Sequence, residues 1–249
     1  MPDFDGKVAL VIGGTSGIGR TTALAYARAG AKVVVAGRNE TRGAESVAAI
    51  EEAGAEGVFI PVDVTDSDSV RELIGAAEAA YGGIDCAFNA AGQESGRAPV
   101  AEIDEAEWQR LLDLRLTGAM RCVKYELPAL LRSGGGSIVN MAGDWGLYGV
   151  AGFATACAAI HGILGLTRAA AKDYAAQGIR VNAVCPGAVR TPMLERMAGE
   201  RGSAADDYGA ALAIGRIAMP EEVAEAVLWL SSPRASYVNG ESLVLNGGG

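Results

Sequence analysis

The residues best placed to do chemistry stand near the start of the chain. Val8 to Arg20 reads VALVIGGTSGIGR: an apolar run, then Gly13, Gly14, Gly17 and Gly19, then a helical pattern from Arg20. Glycines tolerate positive φ and let the backbone approach a ligand closely. A helix N-terminus behind them offers unpaired amides and about half a positive charge, which suits a phosphate. Such a turn can also be a plain connector. Run, spacing and helix agree here on nucleotide binding through Gly13, Thr15, Ser16, Gly17, Ile18 and Gly19. A second apolar run ends Val35-Ala36-Gly37-Arg38-Asn39. In a dinucleotide-binding fold this tip faces the adenine ribose, and a carboxylate there would select NAD. The chain has Gly37 and then Arg38. A guanidinium grips a 2′-phosphate with two hydrogen bonds, so NADP(H) is the expectation; the alternative is a solvated arginine. At the end of a third run, Asp63 beside Val64 can accept from the adenine amino group or serve as a turn residue, and Asp66 can cap the next helix. The small residues Asn89, Ala90, Ala91 and Gly92 let backbone lie against a ribose.

These tips need strands beneath them. Short β-branched runs at 7–12, 32–36, 57–62, 84–88, 136–141, 179–184 and 242–245 alternate with Ala-rich helical patterns. That alternation predicts an α/β fold with a parallel sheet wrapped by helices. No linker or low-complexity block divides the chain, so residues 1–249 are expected to form one domain. Half of the residues are apolar and 20% are charged, which supports a sizeable core. The net charge of -9 without a basic run argues against nucleic acid or an anionic membrane as partner. Cys86, Cys122, Cys157 and Cys185 form no CxxC pair, and one histidine cannot complete a zinc finger, so no metal is expected and free thiols are. The N-terminus lacks a signal-peptide pattern and no apolar run reaches spanning length, which points to the cytoplasm.

Several segments together resemble the short-chain dehydrogenase/reductase family over essentially the full length. They are GGTSGIG at 13–19, DVTD at 63–66, NAAG at 89–92, GSIVN at 136–140, GIRVNAVCPGAVRTPM at 178–193, GRIAMPEEVA at 215–224 and NGESLVLNGG at 239–248. The resemblance implies a doubly wound Rossmann fold with seven parallel strands, a nicotinamide cofactor and a homotetramer. It implies that Pro186, Gly187, Val189 and Thr191 lie over the nicotinamide. Ile12, Ala90 and Asn246 are small departures from the family's usual residues.

The larger departures fall together. The family donates a proton from a Tyr on a helix, with a Lys one turn later, a Ser on the preceding strand's end and an Asn on an earlier helix. The ammonium lowers the phenol pKa from about 10. Register fixed by Gly165-Leu166-Thr167-Arg168 puts Ala156 at the Tyr position and Ile160 at the Lys position. GSIVN puts Gly143 at the Ser position, and Arg115 stands for the Asn. A positioned acid or base contributes roughly 10²–10⁴-fold, and these four residues cannot form that relay. Polar residues surround the vacated positions. Asp144 is the candidate for a new general acid or base; the alternative is a capping or surface Asp. Arg115 can pair with Asp144 or meet an anionic substrate. Trp145, Tyr148 and Met193 are expected to line the substrate side. Glu94 and Arg97 can reach the mouth or sit in a solvated loop. His161 and Cys157 read as structural. Residues 194–214, with Met197 and Tyr208, resemble the family's mobile lid. Three functions stay open. One is an NADP(H) enzyme on a small organic substrate with a new relay, including non-redox cyclisation or isomerisation. The second is a silent NADP-binding protein or partner subunit. The third is an ordinary carbonyl reductase.

Overall fold

A computed structural model describes residues 4–200, 202–210 and 212–249. The strands are β1 (Val8–Ile12), β2 (Lys32–Gly37), β3 (Gly57–Pro61), β4 (Cys86–Asn89), β5 (Gly136–Met141), β6 (Ile179–Pro186) and β7 (Ser242–Leu245). They form one sheet in the order β3-β2-β1-β4-β5-β6-β7. Every neighbouring pair is parallel, with Ile12 opposite Ala36 and Asn89 opposite Asn140 at the carboxyl ends. The inner strands, covered on both faces, read as continuous apolar runs, whereas β3 and β7 at the sheet edges are only partly buried.

The helices are α1 (Gly17–Arg28), α2 (Glu40–Glu52), α3 (Ser67–Tyr81), α4 (Glu105–Leu112), α5 (Gly118–Arg132), α6 (Ala154–Tyr174), α7 (Pro192–Glu200), α8 (Asp207–Ala210) and α9 (Pro220–Ser231). Alternation along β1 divides the core. Leu10 and Ile12 pack with Leu73 of α3, Val123 of α5 and Ala171 of α6. Ala9 and Val11 pack on the other face with Tyr26 of α1, Ile50 of α2 and Val227 of α9. Successive strand residues point to opposite faces, so each face receives its own helical layer. Side-chain oxygens start several helices: Asn39 accepts from Arg42 N at 2.9 Å, Asp66 from Asp68 N at 3.0 Å and Asp104 from Ala106 N at 2.8 Å.

Two expectations need correction. The sequence carries a helical pattern from Glu105 to Leu131 that predicts one long helix, but the structure does not form one continuous α-helix there. A π turn, Asp113–Thr117, separates α4 from α5, and it is pinned by Arg121, which donates to Asp113 Oδ1 at 3.0 Å and to the Val64 carbonyl at 3.2 Å. The helical stretch Ala154–Gln177 is long and apolar enough, by length and composition, to cross a membrane, although no single apolar run suggested it. In this fold Ile160, Ile163, Leu164 and Ala171 of that stretch are buried against the rest of the chain.

Candidate active site

A cleft of about 670 Å³ opens over the carboxyl ends of β1, β2, β4, β5 and β6. This is where an open α/β sheet changes direction and leaves a crevice. The glycine turn builds one wall. A Cβ on Gly19 would sit 2.2 Å from Gly13 O, and one on Gly13, at φ +85°, would sit 2.7 Å from the Ala90 carbonyl carbon. Only glycine closes this turn. Ser16 begins α1 without a side-chain capping bond, and no acidic residue stands in the first turn. The amides of that turn are therefore left for an anion from outside. The cradle fits the pyrophosphate of a dinucleotide.

The adenine end has two guanidiniums. Arg38 and Arg42 line the cleft, and their side chains are exposed with no hydrogen-bond or ion-pair partner among the described residues. A Cβ on Gly37 would lie 3.0 Å from Thr15 Cγ2, so the position at which a carboxylate would select NAD is already occupied by Thr15. Asp63 Oδ1 accepts from Thr65 N at 2.9 Å and from Thr65 Oγ1 at 2.7 Å. These bonds, more than the nearby Arg38, hold its carboxyl below the usual range.

Of the residues expected at the cofactor, Gly13, Thr15, Ser16, Gly17, Ile18, Gly19, Arg38, Asp63, Val64, Ala90, Gly92, Pro186, Gly187 and Thr191 all line this cleft. Thr191 Oγ1 also caps α7 through Leu194 N at 3.2 Å. Asn89 does not line it. Its amide donates to Glu126 Oε2 and to Asn140 Oδ1, both at 3.0 Å, because β4 turns this side chain into the core rather than the cleft. Val189 is also outside the wall: it is buried and bridged in parallel to Ala218.

On the substrate side, Arg115 and Met193 line the cleft, but Asp144, Trp145 and Tyr148 do not. Trp145 packs on Phe153 with ring centroids 4.8 Å apart. Asp144 is 8% exposed, and its Oδ2 accepts from the Tyr148 hydroxyl at 2.6 Å. The same oxygen lies 3.3 Å from where a Gly187 Cβ would be. Burial raises the Asp144 carboxyl above the usual range, against bonds from Tyr148 and Asn246. Burial and then Asp144 push the Tyr148 phenol up as well. The pairing of Arg115 with Asp144 does not form. Arg115 instead donates through Nε, at 3.0 Å, and through Nη2 to the backbone carbonyl of Gln93. Burial draws its guanidinium below the usual arginine range.

The floor of this end is apolar. A Cβ on Gly143 would meet Ile160 Cδ1 at 3.6 Å, and one on Gly146 would meet Ile160 Cγ2 at 2.8 Å. Ala156, one turn earlier on α6, is buried. The lining includes no lysine and no tyrosine among the described residues; its cations are Arg38, Arg42, Arg115 and Arg196. Arg196 of α7 donates to Glu94 at 2.8 Å, so Glu94 does reach the mouth. Arg97 lies over Gly152 instead, its Cγ 2.7 Å from the Cβ position there. His161 Nδ1 bonds the Cys157 carbonyl at 2.9 Å, within its own helix. All four cysteines are free and buried, and no metal-binding cluster occurs among the described residues. Residues 194–214 contain most of α7 and all of α8; Arg201 and Ala211 lie outside the described residues.

Composition and periodicity missed Glu126. It is fully buried on α5, with its carboxyl raised to about 7 by burial against the Asn89 bond. Glu126 Oε1 and Asn89 Oδ1 have no partner among the described residues. A lone Glu in an apolar helical run was the available signal.

Comparison with known proteins agrees with this geometry. The family described as enoyl-(acyl carrier protein) reductase matches residues 13–249. The chain is 42% identical over 248 residues to the short chain dehydrogenase/reductase astE of Aspergillus oryzae, covering 98% of this chain and 95% of that protein. It is 42% identical over 246 residues to the cis-4-hydroxycyclohexanecarboxylate dehydrogenase of Sinomonas cyclohexanicum, covering 98% and 97%. The crystal structure of levodione reductase superposes with a TM-score of 0.94 at 33% identity, covering 98% of each chain. With its parallel sheet, glycine cradle and full-length relatives, the chain belongs to the short-chain dehydrogenase/reductase family.

Proposed function

We propose that this protein is an NADP(H)-dependent oxidoreductase of the family that acts on a small cyclic alcohol or its ketone without the family's Asn-Ser-Tyr-Lys relay. Membership and the dehydrogenase and reductase names of the relatives support an oxidoreductase with a nicotinamide cofactor. The ring named in the Sinomonas enzyme supports the substrate class. The phosphate preference rests on one observation: Arg38 and Arg42 stand partnerless at the β2 tip, where Thr15 fills the space beside Gly37. A 2′-phosphate supplies the missing counter-charge.

When bound, the nicotinamide supplies or accepts a hydride. The chain must handle the accompanying proton. The substituted relay is supported by Gly143 facing Ile160, with Ala156 a turn away. No ammonium is there to lower a phenol pKa. Burial, and then its pairing with the Asp144 carboxylate, raise the Tyr148 phenol pKa instead. In this reading Asp144 holds the proton, exchanging it through the Tyr148 hydroxyl. The 144–152 loop must fold over the cleft to bring the pair to the substrate. Arg115 holds the substrate from the opposite wall. Asp144→Asn is expected to abolish turnover while keeping NADPH binding. For alcohol oxidation, activity should rise with pH through a midpoint above the ordinary carboxylate range. Unchanged turnover in Asp144→Asn rules the pair out.

One observation favours a second reading, a silent NADP(H)-binding subunit: the described cleft wall holds no tyrosine, lysine, histidine or cysteine to pass a proton. A panel of cyclic alcohols and ketones followed at the nicotinamide absorbance separates the two. Binding of NADPH with no oxidation or reduction across the panel supports the silent subunit. Chemistry on the panel without net nicotinamide change would instead point to isomerisation or cyclisation.

A further inference from the structure

Arg115 has a charge without a counter-charge. Its guanidinium is half-buried in the cleft wall, and two of its donors go to the Gln93 carbonyl, which is neutral. Nη1 has no partner among the described residues. No carboxylate faces it. Asp113, two residues away on the same turn, is taken by Arg121, Glu94 by Arg196, and Asp144 by the Tyr148 hydroxyl. Asp63 belongs to the adenine end and bonds Thr65. Removing a cation from water without pairing it costs free energy that a fold seldom bears for nothing.

The location adds a second argument. Arg115 sits on the π turn between α4 and α5, and a π turn inside a helix frequently marks a functional site. Its carbonyl contact fixes the guanidinium at the tip of the segment after β4, leaving part of the fork for a ligand. The nucleotide phosphates have their own recognition elsewhere, in the α1 N-terminus, Arg38 and Arg42. The remaining floor is Gly143, Ile163 and Met193, which suits an apolar body.

We infer that the substrate is an anion, a carboxylate borne on an apolar ring, and that Arg115 is the residue that selects it. This deepens the oxidoreductase reading above and rests on the same cleft. The guanidinium fork meets the carboxylate, while the ring lies over the apolar floor toward the nicotinamide segment at Pro186 and Gly187. A neutral ring compound fills the floor but leaves the cation unpaired.

Calorimetric titration with cyclohexanecarboxylate and with its neutral isostere, cyclohexanecarboxamide, tests this. Each is titrated into the protein with NADPH and without nucleotide. The carboxylate should bind the wild type about ten-fold or more tightly than the amide. Arg115→Gln should remove that preference, and Arg115→Lys should keep part of it. Equal binding of the two probes, no carboxylate binding at millimolar concentration, or a preference that survives in Arg115→Gln overturns the inference. The wild-type comparison needs no variant to fold. If NADPH does not bind but the nucleotide-free protein still prefers the carboxylate, the cofactor reading fails and this one stands.

Discussion

At the scale of single residues, charge decides what the cleft can hold. Arg38 is exposed, faces the cleft near Asp63, and has no hydrogen-bond or ion-pair partner among the described residues. A charge-assisted bond to a phosphate contributes about 1.5–3 kcal/mol. Arg38→Ala should therefore weaken NADPH binding by roughly 10- to 100-fold and leave NADH binding nearly unchanged. Fluorescence titration with both nucleotides reads this directly. Equal losses for the two would place Arg38 outside phosphate recognition. The place of Arg38 in the cleft wall was legible in the sequence because a strand end fixes which residues reach its tip. The partner of Arg115 was not. Whether a side chain turns toward Asp144 or toward the Gln93 carbonyl depends on the π turn, and helical periodicity does not report a single inserted residue. The same limit applies to Asp144 itself. Its position after Gly143 could be counted along the chain, but not the direction of its carboxylate toward Gly187 and Asn246.

At the scale of elements, the sheet was readable because apolar runs and glycine tips carry local signals. All seven strands appear within a few residues of where β-branched runs placed them. The polar network behind the cleft was not readable, because it joins residues distant in sequence. Glu126 of α5 and Asn89 of β4 each leave one buried oxygen unpaired, while Asn140 of β5 donates to Thr167 of α6 at 2.9 Å. Four elements meet at this point, directly below Ala90 and the cleft. The buried carboxyl of Glu126 is raised to about 7, above the value of about 4.3 expected in an unfolded chain. The folded state therefore binds the extra proton. Its stabilising contribution is full below the unfolded pKa and is lost as pH rises through about 7. The wild-type melting temperature should fall between pH 5 and pH 8. Glu126→Gln replaces the partnerless oxygen with an amide donor and has no charge to lose. Its melting curve should be flatter over that interval and should exceed the wild type at pH 8. A wild type as pH-dependent as the variant would show that Glu126 is not the titrating group. A similar argument applies at the end of β5. Gly143 has φ +139°, a region costly for other residues. Gly143→Ser, the change toward the family's serine, should cost about 1–3 kcal/mol and lower the melting temperature by several degrees. Restoring the family relay in this chain therefore takes more than replacing four side chains.

At the scale of the whole molecule, charge and assembly remain. The chain has a net charge of -9, yet the cations of its cleft wall are four arginines. Anions repelled by the rest of the surface are focused toward that opening, so association with NADPH should slow as salt increases. Assembly concerns the outward face of α6. Inward residues such as Ile160, Ile163 and Leu164 are buried, whereas His161, Gly165, Arg168 and Lys172 repeat at helical spacing on the exposed side. The space around Gly165 is open: a Cβ there meets no atom within 4 Å. Family membership leads us to expect a homotetramer in which this face and that of α5, where Met120 and Leu131 are exposed, meet their counterparts. Gly165→Arg tests it without confusing assembly with folding. Glycine inside an exposed helix costs about 0.8–1.0 kcal/mol relative to good helix formers, so the isolated subunit should gain stability from the arginine. A face that packs against a neighbour cannot admit that side chain. Light scattering should therefore show a tetramer for the wild type and smaller species for Gly165→Arg, with helical content preserved. If the variant assembles like the wild type, the α6 face is open to solvent and the subunits meet elsewhere.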